Sequence, residues 1–321
     1  MKDFEDKIAV ITGGGTGMGR ALARQLAGAG CHVAICDVSE EEMEKTQNFC
    51  EAESPEGTRF VSFVADVSDE TQLQAFRDAI CRQLETDYVN LVFNNAGVGG
   101  GGSMIVGERE EWDRTFEICW NGVYYGTRTF LPMLVASDEG HLVNTSSVNG
   151  FWASIGPGSA HTAYSAAKFA VKGFTEALVN DCRLNAPHVK VSVVMPGHIG
   201  TSIVINSGTI LGRAPKDMSD EQLEEVRERI ESMGYPLGDI SPDQIRMFMQ
   251  QRAEQFRDDA PMTAAEAASI ILDGVREERW RILVGKDAEA LDRLVRANPE
   301  EAYEPSFMEK LLAQSEWALG N

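Results

Sequence analysis

Short apolar runs recur along the chain, separated by longer stretches in which apolar residues return every three or four positions. The runs cover residues 8–11, 32–36, 59–65, 90–93, 141–145, 190–195 and 281–284. Each is of strand length, and the amphipathic stretches between them are of helix length, so the pattern predicts seven strands alternating with helices. That alternation implies an α/β fold: a Rossmann-type, doubly wound parallel sheet with right-handed crossovers and helices on both faces. Ligands of such sheets bind outside the carboxyl ends of the strands, so functional residues are expected just after strands.

After the sixth strand the alternation lapses. Residues 202–261 are highly charged, and Ser219 with Gln222 and Ser241 with Gln244 read as helix starts, the second strengthened by Pro242. A helical insertion over the crevice, serving as a substrate lid, is therefore expected. Thr263 with Glu266 marks a further helix start ahead of the last strand, and residues 286–321 read as a helical C-terminal extension that caps the sheet or joins subunits. Composition does not break along the 321 residues, which favours one elaborated domain.

Charge narrows the partners. With 50 Asp plus Glu against 29 Lys plus Arg, the net −21 argues against nucleic acid and anionic membrane surfaces. Residues 1–10 carry scattered charges and no long apolar run, which predicts neither a signal peptide nor a membrane span, and hence a cytoplasmic protein. The six cysteines (Cys31, Cys36, Cys50, Cys81, Cys119, Cys182) contain no CxxC pair and read as buried free thiols. The five histidines are scattered, so spacing supports no metal site, and the glycines at 99–102 read as a flexible loop.

The first strand runs into Thr12-Gly13-Gly14-Gly15-Thr16-Gly17-Met18-Gly19, followed by an apolar-patterned helix through Ala21, Leu22 and Leu26. Glycines there let the backbone turn tightly and approach a pyrophosphate, which free amides and the helix dipole favour. The second strand ends at Asp37, 18 residues after Gly19. A carboxylate at that point accepts hydrogen bonds from adenine-ribose hydroxyls and repels a 2′-phosphate, so NAD is expected rather than NADP. The competing reading makes Asp37 a helix-capping residue.

Further motifs follow in order: Asp66-Val67, Asn94-Asn95-Ala96-Gly97, Asn144-Thr145-Ser146-Ser147, Tyr164-Ser165-Ala166-Ala167-Lys168 and Pro196-Gly197-His198-Ile199-Gly200-Thr201. Together with the glycine turn they resemble the classical short-chain dehydrogenase/reductase family over about residues 4–201. The resemblance implies that Asp66 and Val67 hold adenine, and that Asn94, Ala96 and Gly97 support the cofactor beside the fourth strand. It further implies that Pro196, Gly197, Ile199 and Thr201 meet the nicotinamide end, and that the protein is a homodimer or homotetramer. The glycine spacing at 13, 17 and 19 is unlike that of the family's epimerase branch.

Tyr164 and Lys168 lie four residues apart, on one face of the expected helix. The phenol can exchange a proton with an alcohol or carbonyl oxygen if the ammonium stabilises its anion. Ser147, just after the fifth strand, can hydrogen-bond that oxygen, and it matches the family's catalytic serine better than Ser146 does. These three form the expected catalytic triad. One position departs from the family pattern: Cys119 stands where many members carry a catalytic asparagine, and Asn121 lies two residues on, about 200° around an ideal helix. Cys119 reads as a small core residue.

The loop at 148–163 carries Phe151, Trp152, Ile155 and a Gly156-Pro157-Gly158 break, and it builds either an apolar substrate pocket or a subunit interface. The expected activity is NAD-linked interconversion of a hydrophobic secondary alcohol and its ketone. A loose likeness to longer bacterial family members suggests lignin-derived aryl ether alcohols as an alternative substrate class. The competing class is a catalytically lapsed NAD-binding regulatory protein, for which the motive is Cys119.

Overall fold

The structure is a computed structural model that describes residues 1–156, 159–232, 240–314 and 317. Pro157 and Gly158 of the predicted loop break, and the last residues of the predicted tail, lie outside that set.

The chain begins β1 (Ile8–Thr12), α1 (Gly17–Gly28), β2 (His32–Asp37), α2 (Glu40–Glu53), β3 (Phe60–Val64), α3 (Glu70–Leu84) and β4 (Leu91–Asn94). It continues with α4 (Arg109–Phe116), a π-helical turn at Glu117–Asn121, α5 (Gly122–Ala136), β5 (Gly140–Thr145), α6 (Thr162–Asn185) and β6 (Val189–Pro196). With β9 (Arg281–Val284), these strands form one parallel sheet in the order β3-β2-β1-β4-β5-β6-β9, as the sequence pattern predicts.

Alternation along the strands builds two cores. In β1, Ile8 and Val10 join the layer that holds Phe76 of α3 and Phe130 of α5, whose rings meet edge-on at 5.8 Å. Ala9 and Ile11 face the opposite layer, which holds Leu22 and Leu26 of α1. Because both faces are covered, β1, β4 and β5 are buried throughout.

The insertion leaves through β7 (Ile199–Gly200) and returns through β8 (Met262–Thr263), which pair in parallel. Between them lie α7 (Ile203–Ile210), α8 (Asp220–Ser232) and α9 (Pro242–Asp258). Ser219 and Gln222 exchange hydrogen bonds at the start of α8, and Ser241 with Gln244 forms a capping box on α9. Thr263 and Glu266 do the same for α10 (Ala264–Arg276). The segment also has a small core of its own, Met218, Leu223 and Ile245.

The extension is two helices, α11 (Lys286–Ala297) and α12 (Pro305–Gln314), interrupted where Pro299 cannot donate an amide. Asp292 of α11 is gripped by Arg281 of β9 and by Arg296, which fastens the extension against the sheet's edge strand.

Candidate active site

The glycine turn places bare amides at the head of α1. Thr16 precedes that helix in an extended conformation and does not cap it, and the first turn carries no acidic residue. Gly13 and Gly17 adopt φ +66° and +53°, and a Cβ at Gly13 would lie 2.8 Å from Ala96 Cα. The turn therefore demands glycine, and the first amides of α1 have no side-chain cap, a donor set that suits a pyrophosphate. Asp37 closes the far side: its Oδ2 accepts from the Gly15 amide at 2.9 Å, and its Oδ1 accepts from the Ser39 amide at 3.1 Å.

A groove of about 140 Å³ runs along this edge. Gly13, Thr16, Gly17, Met18 and Asp37 line it, together with Asp66, Val67, Ala96, Gly97 and Thr201. Two residues expected here do not reach it. Gly19 packs behind the turn, where a Cβ would collide with the Gly13 carbonyl. Asn94 is buried beneath the groove, its Nδ2 bonded to Asn144 Oδ1 at 2.8 Å and Thr127 Oγ1 at 3.1 Å, so its support is indirect. Asn95 takes the adjacent place, lining the groove while its Nδ2 holds the carbonyls of Thr12 and Gly13.

Asp66 lines the groove with its carboxylate already engaged by Arg114 and Ser68. Burial raises its pKa, but these partners outweigh that effect and hold it below the usual range. Arg114 itself lines the groove, as does Asn206 of α7, which donates to Thr16 Oγ1 at 3.0 Å. Neither residue was legible in the sequence, because each reaches the groove through a tertiary contact that no local motif encodes.

The groove opens into a cavity of about 760 Å³ over the carboxyl ends of β5 and β6. Ser147, Tyr164 and Lys168 meet on one wall, and Pro196, Gly197, Ile199 and Thr201 line another. The Ser147 hydroxyl lies close enough to the Tyr164 phenol to lower its pKa, and its Oγ accepts from the Asn149 amide at 3.1 Å. Ser146 is spent elsewhere, its Oγ donating to the Lys168 carbonyl at 2.7 Å. Lys168 Nζ donates to the Thr145 carbonyl at 3.0 Å and sits 5.4 Å from the centre of the Tyr164 ring. Burial pushes the phenol well above its ordinary pKa, with Ser147 pulling the other way, and burial pulls the ammonium below its own. At neutral pH the phenol is thus a protonated donor.

Cys119 lies in the π-helical turn and is fully buried, its Sγ bonded to the Val98 carbonyl at 3.2 Å. It faces Gly97 from the side that Lys168 also approaches: a Cβ on Gly97 would meet Nζ at 3.5 Å and Sγ at 3.7 Å. Neither Cys119 nor Asn121 is among the residues lining the cavity.

Two expectations need correction. Trp152 does not line the cavity; it is buried against Phe307 and Trp317 of the extension, and its Nε1 donates to the Ala302 carbonyl at 2.7 Å. Phe151 packs on the same cluster, which leaves Ile155 as the lining member of that apolar trio. The glycines at 99–102 are also not a free loop. The carbonyls of Gly101 and Gly102 accept the amides of Ala163 and Thr162, and Gly101, at φ +62°, leaves its amide to Glu111 at 2.6 Å. Glycine is required there because a Cβ would overlap Ala163. The segment forms a bracket for the start of α6.

A family model for short chain dehydrogenases matches residues 7–209. The chain belongs to the short-chain dehydrogenase/reductase family. A Mycobacterium tuberculosis protein named as an oxidoreductase, SadH, is 34% identical over 296 residues, 92% of each chain. Among solved structures, a family member from Burkholderia phymatum in complex with NAD is similar at TM-score 0.72 and 28% identity, covering 95% of this chain and 98% of its own. A metagenomic member in complex with NADP is similar at TM-score 0.53 and 28% identity, covering 61% of this chain and 84% of its own. The protein is thus an oxidoreductase of a family built around nicotinamide cofactors.

Proposed function

We propose that this short-chain dehydrogenase/reductase is an NAD(H)-dependent enzyme interconverting a hydrophobic secondary alcohol and its ketone. The observation that carries the reading is the meeting of Ser147, Tyr164 and Lys168 on one wall of a cavity continuous with the glycine-turn groove. NAD is favoured because Asp37 holds a carboxylate where a 2′-phosphate would have to sit.

A bound nicotinamide supplies or accepts the hydride. The chain's own residues handle the oxygen and its proton. In the reducing direction Tyr164 donates its phenolic proton to the carbonyl oxygen, and Ser147 holds that oxygen by a hydrogen bond. Lys168, fixed by the Thr145 carbonyl, stabilises the phenolate left behind. In the oxidising direction the same phenolate takes the alcohol proton. The insertion at 202–261 closes the cavity as a lid: α7 contributes Ile203 and Val204 to its wall and ties itself to the glycine turn through Asn206. Cavity walls of Ile155, Met218, Val226, Met249 and Phe256 suit an apolar substrate body.

The test is absorbance in the reduced-nicotinamide band with a panel of aliphatic and aromatic secondary alcohols, NAD beside NADP. Turnover is expected with NAD, and Tyr164→Phe is expected to lower kcat by at least about 10²–10⁴-fold without loss of cofactor binding. Cofactor binding with no turnover across the panel would instead assign the chain to the regulatory class.

A further inference from the structure

His161 stands three residues before Tyr164, and its ring packs on the phenol ring with centroids 4.7 Å apart. It lines the cavity. Its backbone is set by the glycine bracket, since the following amides of Thr162 and Ala163 are bound by Gly102 and Gly101. The side chain is therefore held at a defined place beside the reacting phenol.

Neither ring nitrogen has a hydrogen-bond partner among the described residues, and neither is sealed inside the protein as Nδ1 of His141 and Nδ1 of His198 are. Two other polar side chains that line the cavity, Ser146 and Asn149, are committed. Ser146 donates to the Lys168 carbonyl, and Asn149 Nδ2 donates to the carbonyls of Trp152 and Ser154. Burial lowers the imidazole pKa to about 4, so at neutral pH it offers one N–H donor and one bare nitrogen acceptor. A half-buried ring with both functions unspent loses hydration on closure unless a ligand meets it.

We infer that His161 is a specificity-determining residue that hydrogen-bonds a second oxygen on the carbon next to the reacting one, making the substrate a vicinal diol or α-hydroxyketone with an apolar remainder. The inference rests on the alcohol–ketone reading above and deepens it. The close packing of the two rings places what the imidazole binds beside what the phenol protonates. An apolar pocket alone discriminates weakly against a lone extra hydroxyl, whereas a fixed partner for that hydroxyl discriminates strongly against substrates that lack it.

The experiment compares kcat/KM for 1-phenylethane-1,2-diol with 1-phenylethanol, and for trans-cyclohexane-1,2-diol with cyclohexanol, under NAD. Wild type is expected to favour each diol by about tenfold or more. His161→Phe keeps a ring against the phenol but removes both nitrogens, and it is expected to erase most of that ratio; His161→Asn, with a donor and an acceptor, is expected to restore part of it. Equal rates for diol and monohydric alcohol in wild type, or an unchanged ratio in His161→Phe, would overturn the inference while leaving the alcohol–ketone reading intact. Absence of turnover with every alcohol and every ketone product would overturn both.

Discussion

Asp287 shows how a single residue far along the chain governs the site. It is buried at the second position of α11, and its Oδ2 accepts from the His198 amide at 2.7 Å. Gly197 must lack a side chain because a Cβ there would run into that carboxylate. The extension thus reaches over and pins the turn that leads from β6 into the cavity wall. Asp287→Ala leaves the His198 amide unpaired, and a lost charge-assisted hydrogen bond of this kind is worth about 1.5–3 kcal/mol. The expected outcome is a fall in denaturant stability of that size together with a raised KM for NAD, both measurable on the purified variant. Unchanged KM would mean that the turn holds its place without the extension.

At the scale of elements, α12 and the loop after β5 hold each other. Trp152 meets Phe307 and Trp317 at centroid distances of 5.5 Å each, and its indole N–H is satisfied by Ala302. Trp152→Ala removes that packing and is expected to destabilise the protein by about 3–5 kcal/mol in urea unfolding. Limited proteolysis should then cut first within α12, which loses its aromatic packing on Trp152. The helix starts at Ser219, Ser241 and Thr263 were legible in advance because capping chemistry is local: a hydroxyl and an amide or carboxyl side chain three residues apart suffice. The fate of Trp152 was not, because its partners lie about 150 residues downstream. A loop rich in aromatics can turn toward a cavity or toward a tail, and local pattern does not distinguish the two.

For the whole molecule, buried neutral histidines couple stability to pH. His141, deep in β5 with Nε2 on Ser192, has its pKa lowered by burial to about 3, and His161 lies at about 4. A group depressed in the folded state binds its proton more readily when unfolded, so stability is full above the unfolded pKa near 6.5 and is lost as pH falls toward the folded values. By pH 5 His141 alone accounts for about 2 kcal/mol, with His161 acting in the same direction. Asp66 and Asp292, held below the ordinary carboxylate range, extend the loss below about pH 4. Thermal melting should therefore fall steadily from pH 7 to pH 5, and His141→Gln should flatten that slope. Phe174 of α6 meets Trp120 of the π-helical turn and Tyr124 of α5 edge-on, at centroid distances of 5.5 and 6.2 Å. We propose a homodimer or homotetramer, as the family resemblance implies, and light scattering on the eluting protein should give two or four times 35.2 kDa.

The sequence alone determined the seven-strand parallel architecture, the glycine turn, the helix starts at Ser219, Ser241 and Thr263 and the spacing of Tyr164 and Lys168. Each is written in residues adjacent along the chain or repeated at the period of a helix or strand. Tertiary structure decided what lies across from what. It turned Asn94 inward to Asn144, spent Ser146 on a backbone carbonyl, and brought Arg114 and Asn206 to the groove. It also made the glycines at 99–102 a bracket and set His161 against the phenol. Apart from His161 and Tyr164, three residues apart, such contacts join residues tens to hundreds of positions apart, and side chains there compete for partners that exist only after the sheet and its helices have packed.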